Sequence, residues 1–183
     1  DASACAENAL LFAILLAQKQ GASLVLVNAF QIPAPVGEVP FEIIEDEIIR
    51  KKKESEQMLR AQSIKISHAG KIEFDLEALE GLPDEVILEV ARNRKADYII
   101  MGTNGEGLAT AIFGSTAWHV MEKATCPVIA LPPSARFSKP IKRISFATDY
   151  RSSDLDVINK LTKLATLWHA QVNILHVDED KMK

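Results

Sequence analysis

Apolar side chains fall on a broad helical stripe through residues 4–20, ACAENALLFAILLAQKQ, and the pattern stops at Gly21. A strand is predicted next, because Ser23–Ala29, SLVLVNA, is a short Val- and Leu-rich run bounded by Gly21-Ala22 and Pro33. Residues 31–40 carry Pro33, Pro35, Gly37 and Pro40 and read as a loop. A long charged amphipathic helix is predicted from Phe41 to Ser67. Its basic run Arg50-Lys51-Lys52-Lys53 is flanked by acids and reads as a solvated face. Lys71–Leu79, KIEFDLEAL, alternates apolar and polar positions, as a strand with one wet side does.

A helix follows over 82–94, with Pro83 in its first turn. Asp97–Met101 is a strand that enters a glycine-rich segment, and a helix ending near Lys123 comes next. Pro127–Leu131 is a strand, and residues 132–140 read as a linker. Ile141–Ala147, 153–168 and Gln171–Val177 then read as strand, helix and strand. Such alternation places a parallel sheet under helices on both faces. Right-handed crossovers make a doubly wound α/β fold the expected topology.

The chain also repeats itself. Laying Asp149 on Asp1 aligns roughly 30 residues without a gap. Leu10 then meets Ile158, Leu16 meets Leu164, Leu24 meets Val172, Leu26 meets Ile174 and Val27 meets Leu175. Any two helix–strand units share apolar periodicity, but the small pairs Ala17/Ala165 and Ala22/Ala170 fall in register as well. A tandem duplication is therefore the preferred reading. The second copy carries a strand, ISFAT, before its Asp149, whereas the first copy has nothing before Asp1. A first strand would be central in a doubly wound sheet, and its absence leaves backbone unpaired on both neighbours. Either the chain is a fragment, or Ile141–Ala147, from this chain or a partner, fills the gap by strand exchange. The expected organisation is a domain over 1–132 lacking its first strand, a linker over 133–140, and the opening β-α-β of a second domain over 141–183.

Composition narrows the partners. The 183 residues are 48% hydrophobic and 25% charged, with net charge −4, so the chain is neither disordered in bulk nor basic enough for a nucleic-acid surface. Two cysteines, Cys5 and Cys126, make no disulfide framework or CxxC metal site and suit a reducing, cytosolic setting. Cys126, at the entry to an apolar strand, is expected to be buried, while Cys5 can be exposed. No apolar run reaches a membrane span, and no signal peptide is legible. His68, His119, His169 and His176 are scattered and form no metal spacing. Trp118 and Trp168 fall on helices as core or interface anchors.

The candidate chemistry lies in Met101-Gly-Thr-Asn-Gly-Glu-Gly-Leu-Ala-Thr-Ala-Ile-Phe-Gly-Ser-Thr116. Glycines let backbone amides approach an anion, and Gly114-Ser115-Thr116 places hydroxyls at an expected helix N-terminus, where free amides favour phosphate. The competing reading is a tight turn with an ordinary Ser N-cap. GxxxxGK[ST] is absent, and Gly105-Glu-Gly107 lacks the third glycine of a dinucleotide loop.

These residues resemble the universal stress protein family, whose nucleotide-binding members carry G-x2-G-x9-G-[ST] after the fourth strand. Here Gly102-Thr-Asn-Gly105 is followed by residues 106–113 and then Gly114-Ser115, a spacer one residue shorter. Thr125-Cys-Pro-Val-Ile-Ala-Leu-Pro132 is similar to the family's closing strand, Asp1 and Asp149 to its Asp after strand one, and Leu175-His176-Val177 to its second-strand ending. In the first copy Asn28-Ala29 stands at that last place. The resemblance implies a five-stranded parallel sheet, a homodimer or an intramolecular pseudo-dimer, and ATP or AMP as ligand, with Mg²⁺ as a possible companion. It implies Asp1 and Ala29 at the adenine end, Gly102, Thr103 and Gly105 along ribose and phosphate, and Gly114, Ser115 and Thr116 on the phosphates. Thr148, Asp149 and Val177 match the adenine end in the second copy.

Three functions remain open: a stress-response nucleotide-binding module with at most slow hydrolysis, since no general base is evident; an interaction protein that keeps the fold without the ligand; and an enzyme such as an ATP pyrophosphatase. The last needs an SGGxDS-like loop that Thr148-Asp-Tyr-Arg-Ser-Ser153 lacks.

Overall fold

A computed structural model describes residues 3–32, 40–104, 113–137, 141–151 and 154–176. The chain divides into two compact units, residues 1–135 and 136–183.

The first unit opens with helix α1 (Ala4–Gln20). The side chain of Ser3 caps it by accepting from Ala6 N–H at 3.2 Å. Gly21 ends it in the left-handed conformation (φ 65°), and Ala22 N–H bonds Ala17 O at 3.1 Å. The buried stripe of α1 is Cys5, Ala9, Phe12, Ile14, Leu16 and Ala17. Strand β1 (Leu24–Phe30) pairs in parallel with β2 (Phe74–Glu80), in the register Leu24↔Phe74 to Phe30↔Glu80. Helix α2 (Phe41–Ala69) lies between them in sequence and packs on both. Its inward residues are Ser55, Leu59 and Ile66, while Arg50 pairs with Glu47 and Glu54 along the solvated face.

Helix α3 (Pro83–Asn93) contributes Val86 and Val90 to the core and packs against β1 and α4. Strand β3 (Ile99–Gly102) pairs in parallel with β4 (Val128–Leu131), and α4 (Ser115–Lys123) joins them in sequence. Helix α1 packs on β3, β4 and β1. It also holds the end of β4, because Asn8 Nδ2 donates to Pro132 O and Pro133 O, both at 3.1 Å.

In the second unit, β5 (Arg143–Ala147) pairs in parallel with β6 (Gln171–Leu175), and α5 (Asp154–Trp168) packs on both. Ala165 and Trp168 are buried there. The close of α5 repeats that of α1: Ala170 N–H bonds Ala165 O at 2.9 Å, and His169 (φ 51°) stands in register with Gly21.

The α/β class and the order of elements match the sequence reading, but the sheet does not. In place of one five-stranded sheet the described residues form three two-stranded parallel ladders, β1-β2, β3-β4 and β5-β6. The physical reason is that nothing among them pairs β1 with β3, and Ile144 and Phe146 of β5, the strand considered for that gap, face Val172 and Ile174 of β6. Boundaries also move. The strand expected from Lys71 starts at Phe74, because Ile72 N–H turns back to Gly70 O at 3.0 Å. The strand expected from Asp97 starts at Ile99, because the α3 end runs on through left-handed Lys95 (φ 50°). Cys5 is buried, not exposed, and Cys126 is only half-buried. The reason is that Cys5 faces Gly102, whereas Cys126 precedes the paired strand. Trp168 is a core anchor, but Trp118 stays exposed on α4. Of the loop expected at 31–40, residues 33–39 lie outside the described residues, as do residues 138–140 of the linker expected at 133–140. No described helix is long and apolar enough to cross a membrane.

Candidate functional site

The carboxyl end of β3 is where the glycine-rich segment begins, and hydrogen bonds fix both ends of that segment. Thr103 extends the ladder, its N–H donating to Leu131 O at 3.0 Å, and it is 5% exposed. Thr103 O then accepts from Gly114 N–H at 2.7 Å. That bond brings Gly102, Thr103, Gly114, Ser115 and Thr116 together, although residues 104–113 separate the two groups in sequence.

Gly114 is the N-cap of α4 (φ −71°, ψ 162°), and no side chain caps this end. The first intrahelical bond runs from Trp118 N–H to Gly114 O at 3.0 Å, so the amides of Ser115, Thr116 and Ala117 precede it. Ser115 is the first helical residue, not the cap, and is exposed, while Thr116 is half-buried. The ordinary Ser N-cap is thereby set aside. What remains is a helix end with free donors, two adjacent hydroxyls and the positive pole of the helix dipole.

A second helix start reaches the same point. A Cβ on Gly102 would lie 2.5 Å from Cys5 Cβ, 2.9 Å from Cys5 C and 3.1 Å from Ala6 N. Gly102 is therefore glycine because the first turn of α1 packs directly on it. The first turn of α1 and the start of α4 thus both lie beside the end of β3. The acid in the first turn of α1, Glu7, is neutralised by Lys65 of α2 at 2.7 Å, which holds its carboxyl below the usual carboxylate range.

Ala29 sits near the end of β1, opposite Leu79 of β2, and is half-buried. Its neighbour Asn28 is fixed to α2: Ser55 Oγ donates to Asn28 Oδ1 at 2.8 Å, and Asn28 Nδ2 reaches Met58 Sδ at 3.4 Å. The buried Ser55 was invisible in the sequence, where its helix reads as a charged amphipathic stretch. Only a polar residue on the inward stripe signals it. Asp1, Gly105, Gly107 and Val177 lie outside the described residues.

The histidines take ordinary partners. His119 Nδ1 lies 3.2 Å from Asp84 Oδ2, and His176 Nδ1 lies 2.9 Å from Thr148 O with its ring 4.4 Å from that of Tyr150. Asp149 pairs with Arg151 at 2.6 Å. No group of metal-ligating side chains exists among the described residues.

A parallel α/β unit with a glycine-rich segment leaving the end of β3 defines the class. Residues 1–132 match the model of the universal stress protein family, and the chain belongs to that family. It is 36% identical over 131 residues to a universal stress protein of Thermus aquaticus, the match covering 70% of this chain and 91% of the relative. It is 45% identical over 58 residues to a universal stress protein E homolog of Haemophilus influenzae, covering 31% of this chain and 19% of the relative. Among solved structures it resembles UspA of Lactobacillus plantarum, with TM-score 0.64, 21% identity, and 72% of this chain and 92% of the other covered. It also resembles a universal stress protein in complex with cAMP, with TM-score 0.54, 22% identity, and 73% and 92% covered. Those two likenesses carry the fold.

Proposed function

We propose that this chain binds an adenine nucleotide, ATP or AMP, as a stress-response binding module. The observation that carries the reading is the uncapped start of α4 closed onto Thr103 by the Gly114 bond. In this reading the amides of Ser115, Thr116 and Ala117, with the Ser115 and Thr116 hydroxyls, take the phosphates. Gly102, Thr103 and Gly105 run along ribose and phosphate, and Asp1 and Ala29 face the base. The complex of a structural neighbour with cAMP makes adenine the base to test first. Mg²⁺, if bound, is carried by the phosphates and water, since the described residues offer no ligand cluster of their own. Among the described residues no acid or histidine stands at the α4 start as a candidate base, and in this reading hydrolysis is slow or absent. In this reading the module works in the cytosol as a homodimer or pseudo-dimer; the matching ends of α1 and α5 support the tandem repeat alone.

Equilibrium dialysis with ATP, AMP and cyclic AMP tests this. Binding is expected, weakened about tenfold or more by Ser115→Ala or Thr116→Ala, since each removes a bond to a charged group. No binding of any of the three at millimolar concentration sinks the proposal.

A second reading, an interaction protein without ligand, is favoured by the spacer between Gly105 and Gly114, one residue shorter than the family pattern. Inserting one residue before Gly114 separates the two. Binding that appears only after insertion supports the second reading.

A further inference from the structure

We propose that one flank of α2 is a self-association surface, on which α2 of a second copy of this chain lies antiparallel. Phe41, Glu45, Ile49, Lys52, Glu56 and Arg60 recur at steps of three and four residues and so share that flank. Phe41 is 73% exposed and Ile49 is 59% exposed, although both are large and apolar. The two flanks of the helix treat their charges differently. On the other flank Arg50 pairs with Glu47 and Glu54, and Lys51 pairs with Glu54. On this one Glu45, Lys52, Glu56 and Arg60 have no ion-pair partner among the described residues.

The flank is complementary to itself. With a twofold axis beside Ile49, Glu45 of each copy lies opposite Lys52 of the other, and the two Ile49 side chains meet. One contact thus makes two ion pairs by symmetry. A slide of one turn that set Glu45 beside Glu56 would bring like charges together, so charge selects the register.

The shape of the molecule gives the same register independently of charge. Between α2 and β2 runs an open groove of about 190 Å³, lined by Glu56, Leu59, Arg60, Leu76 and Ala78. The register that pairs Glu45 with Lys52 sets Phe41 of the second copy opposite Glu56, at the mouth of that groove. A cavity of about 150 Å³ holds a benzene ring, so the groove has room for the Phe41 ring. There the ring covers Leu59, Leu76 and Ala78 and lies along the aliphatic stem of Arg60, as an aromatic anchor in a pocket does. The buried stripe of α2, Ser55, Leu59 and Ile66, stays on its own strands, so docking displaces no contact within the unit.

Light scattering on the full chain tests this, with a doubling of the 20.2 kDa mass expected as concentration rises. Glu45→Lys and Lys52→Glu each set like charges against one another at two places, and each weakens self-association by about tenfold at low salt. Mixing the two variant chains restores it, because every Lys then faces a Glu. Phe41→Ser leaves the groove unfilled and weakens association by about tenfold or more, with little dependence on salt. All three positions are exposed, so each variant chain keeps its fold. A chain that stays monomeric up to millimolar concentration overturns the proposal. So does a dimer indifferent to these substitutions, or a mixture of the two charge variants that associates no better than either alone. The readout is mass, so it stands or falls apart from nucleotide binding.

Discussion

The α1-β1 segment and the α5-β6 segment are two versions of one piece of sequence set among different neighbours. Both helices close with an N–H bond spanning the last turn, Ala22 to Ala17 and Ala170 to Ala165, and both place a left-handed residue just before it. The strands that follow differ. Among the described residues β1 is paired by β2 through residues 24–30 of even number, whereas β6 is paired by β5 through its odd residues 171–175, which align with the odd residues of β1. Local sequence therefore dictates the helix, its stop and the strand, and the neighbours dictate which edge is satisfied. Burial follows the neighbours too, since α1 turns six residues into the core and α5 only Ala165 and Trp168.

The comparison is broken most strongly at the equivalent leucines. Leu16 is 4% exposed, and Leu16→Ala is expected to cost about 3 kcal/mol in chemical denaturation. Its counterpart Leu164 is half-buried, and Leu164→Ala costs about half as much. Equal losses would show that the two helices sit in equally closed surroundings.

Gly102→Ala comes next. The added methyl meets the Cβ and backbone of Cys5, so about 2 kcal/mol of stability is lost, and nucleotide affinity falls as α1 is pushed off the strand end. A folded protein of unchanged melting temperature would contradict the close approach.

The helix stops give smaller effects of opposite sign. Gly21→Ala forces a Cβ into the left-handed region and costs about 1 kcal/mol, whereas His169→Gly relieves the same strain and gains about as much. Thermal melts of the two variants should move in opposite directions.

The smallest effect is the Glu7–Lys65 pair, which ties α1 to α2 and has no described analogue in the second unit. Its carboxyl is held below the ordinary value chiefly by the hydrogen bond from Lys65. Its contribution is therefore present above the ordinary carboxylate pKa and is lost as pH falls through the lower folded value. Because both side chains are largely in water, the loss is slight and salt suppresses it. Glu7→Gln should flatten the acid limb of stability against pH by a small, salt-sensitive amount.

Much of the site was legible because its chemistry is written in small residues. Gly102, Gly114 and Ser115 stand out from any spacing argument. Their meaning needed coordinates: Gly102 makes room for Cys5, and Gly114, not Ser115, caps α4. Ser55 on Asn28 was not legible, since a single serine in a charged helix carries no periodic signal.

By itself the sequence determined the elements, their order and the repeat, because apolar periodicity, glycine stops and proline breaks act over a few residues. Helix α1 spans Ala4–Gln20, as its periodicity predicts, and Gly21 ends it by adopting a conformation open to glycine. Tertiary structure alone decided which strand lies beside which. Every parallel edge offers the same alternating amides, so nothing in the local sequence of β5 selects Val172 as the neighbour of Ile144. Only the competition among whole strands for those edges settles whether the sheet is continuous.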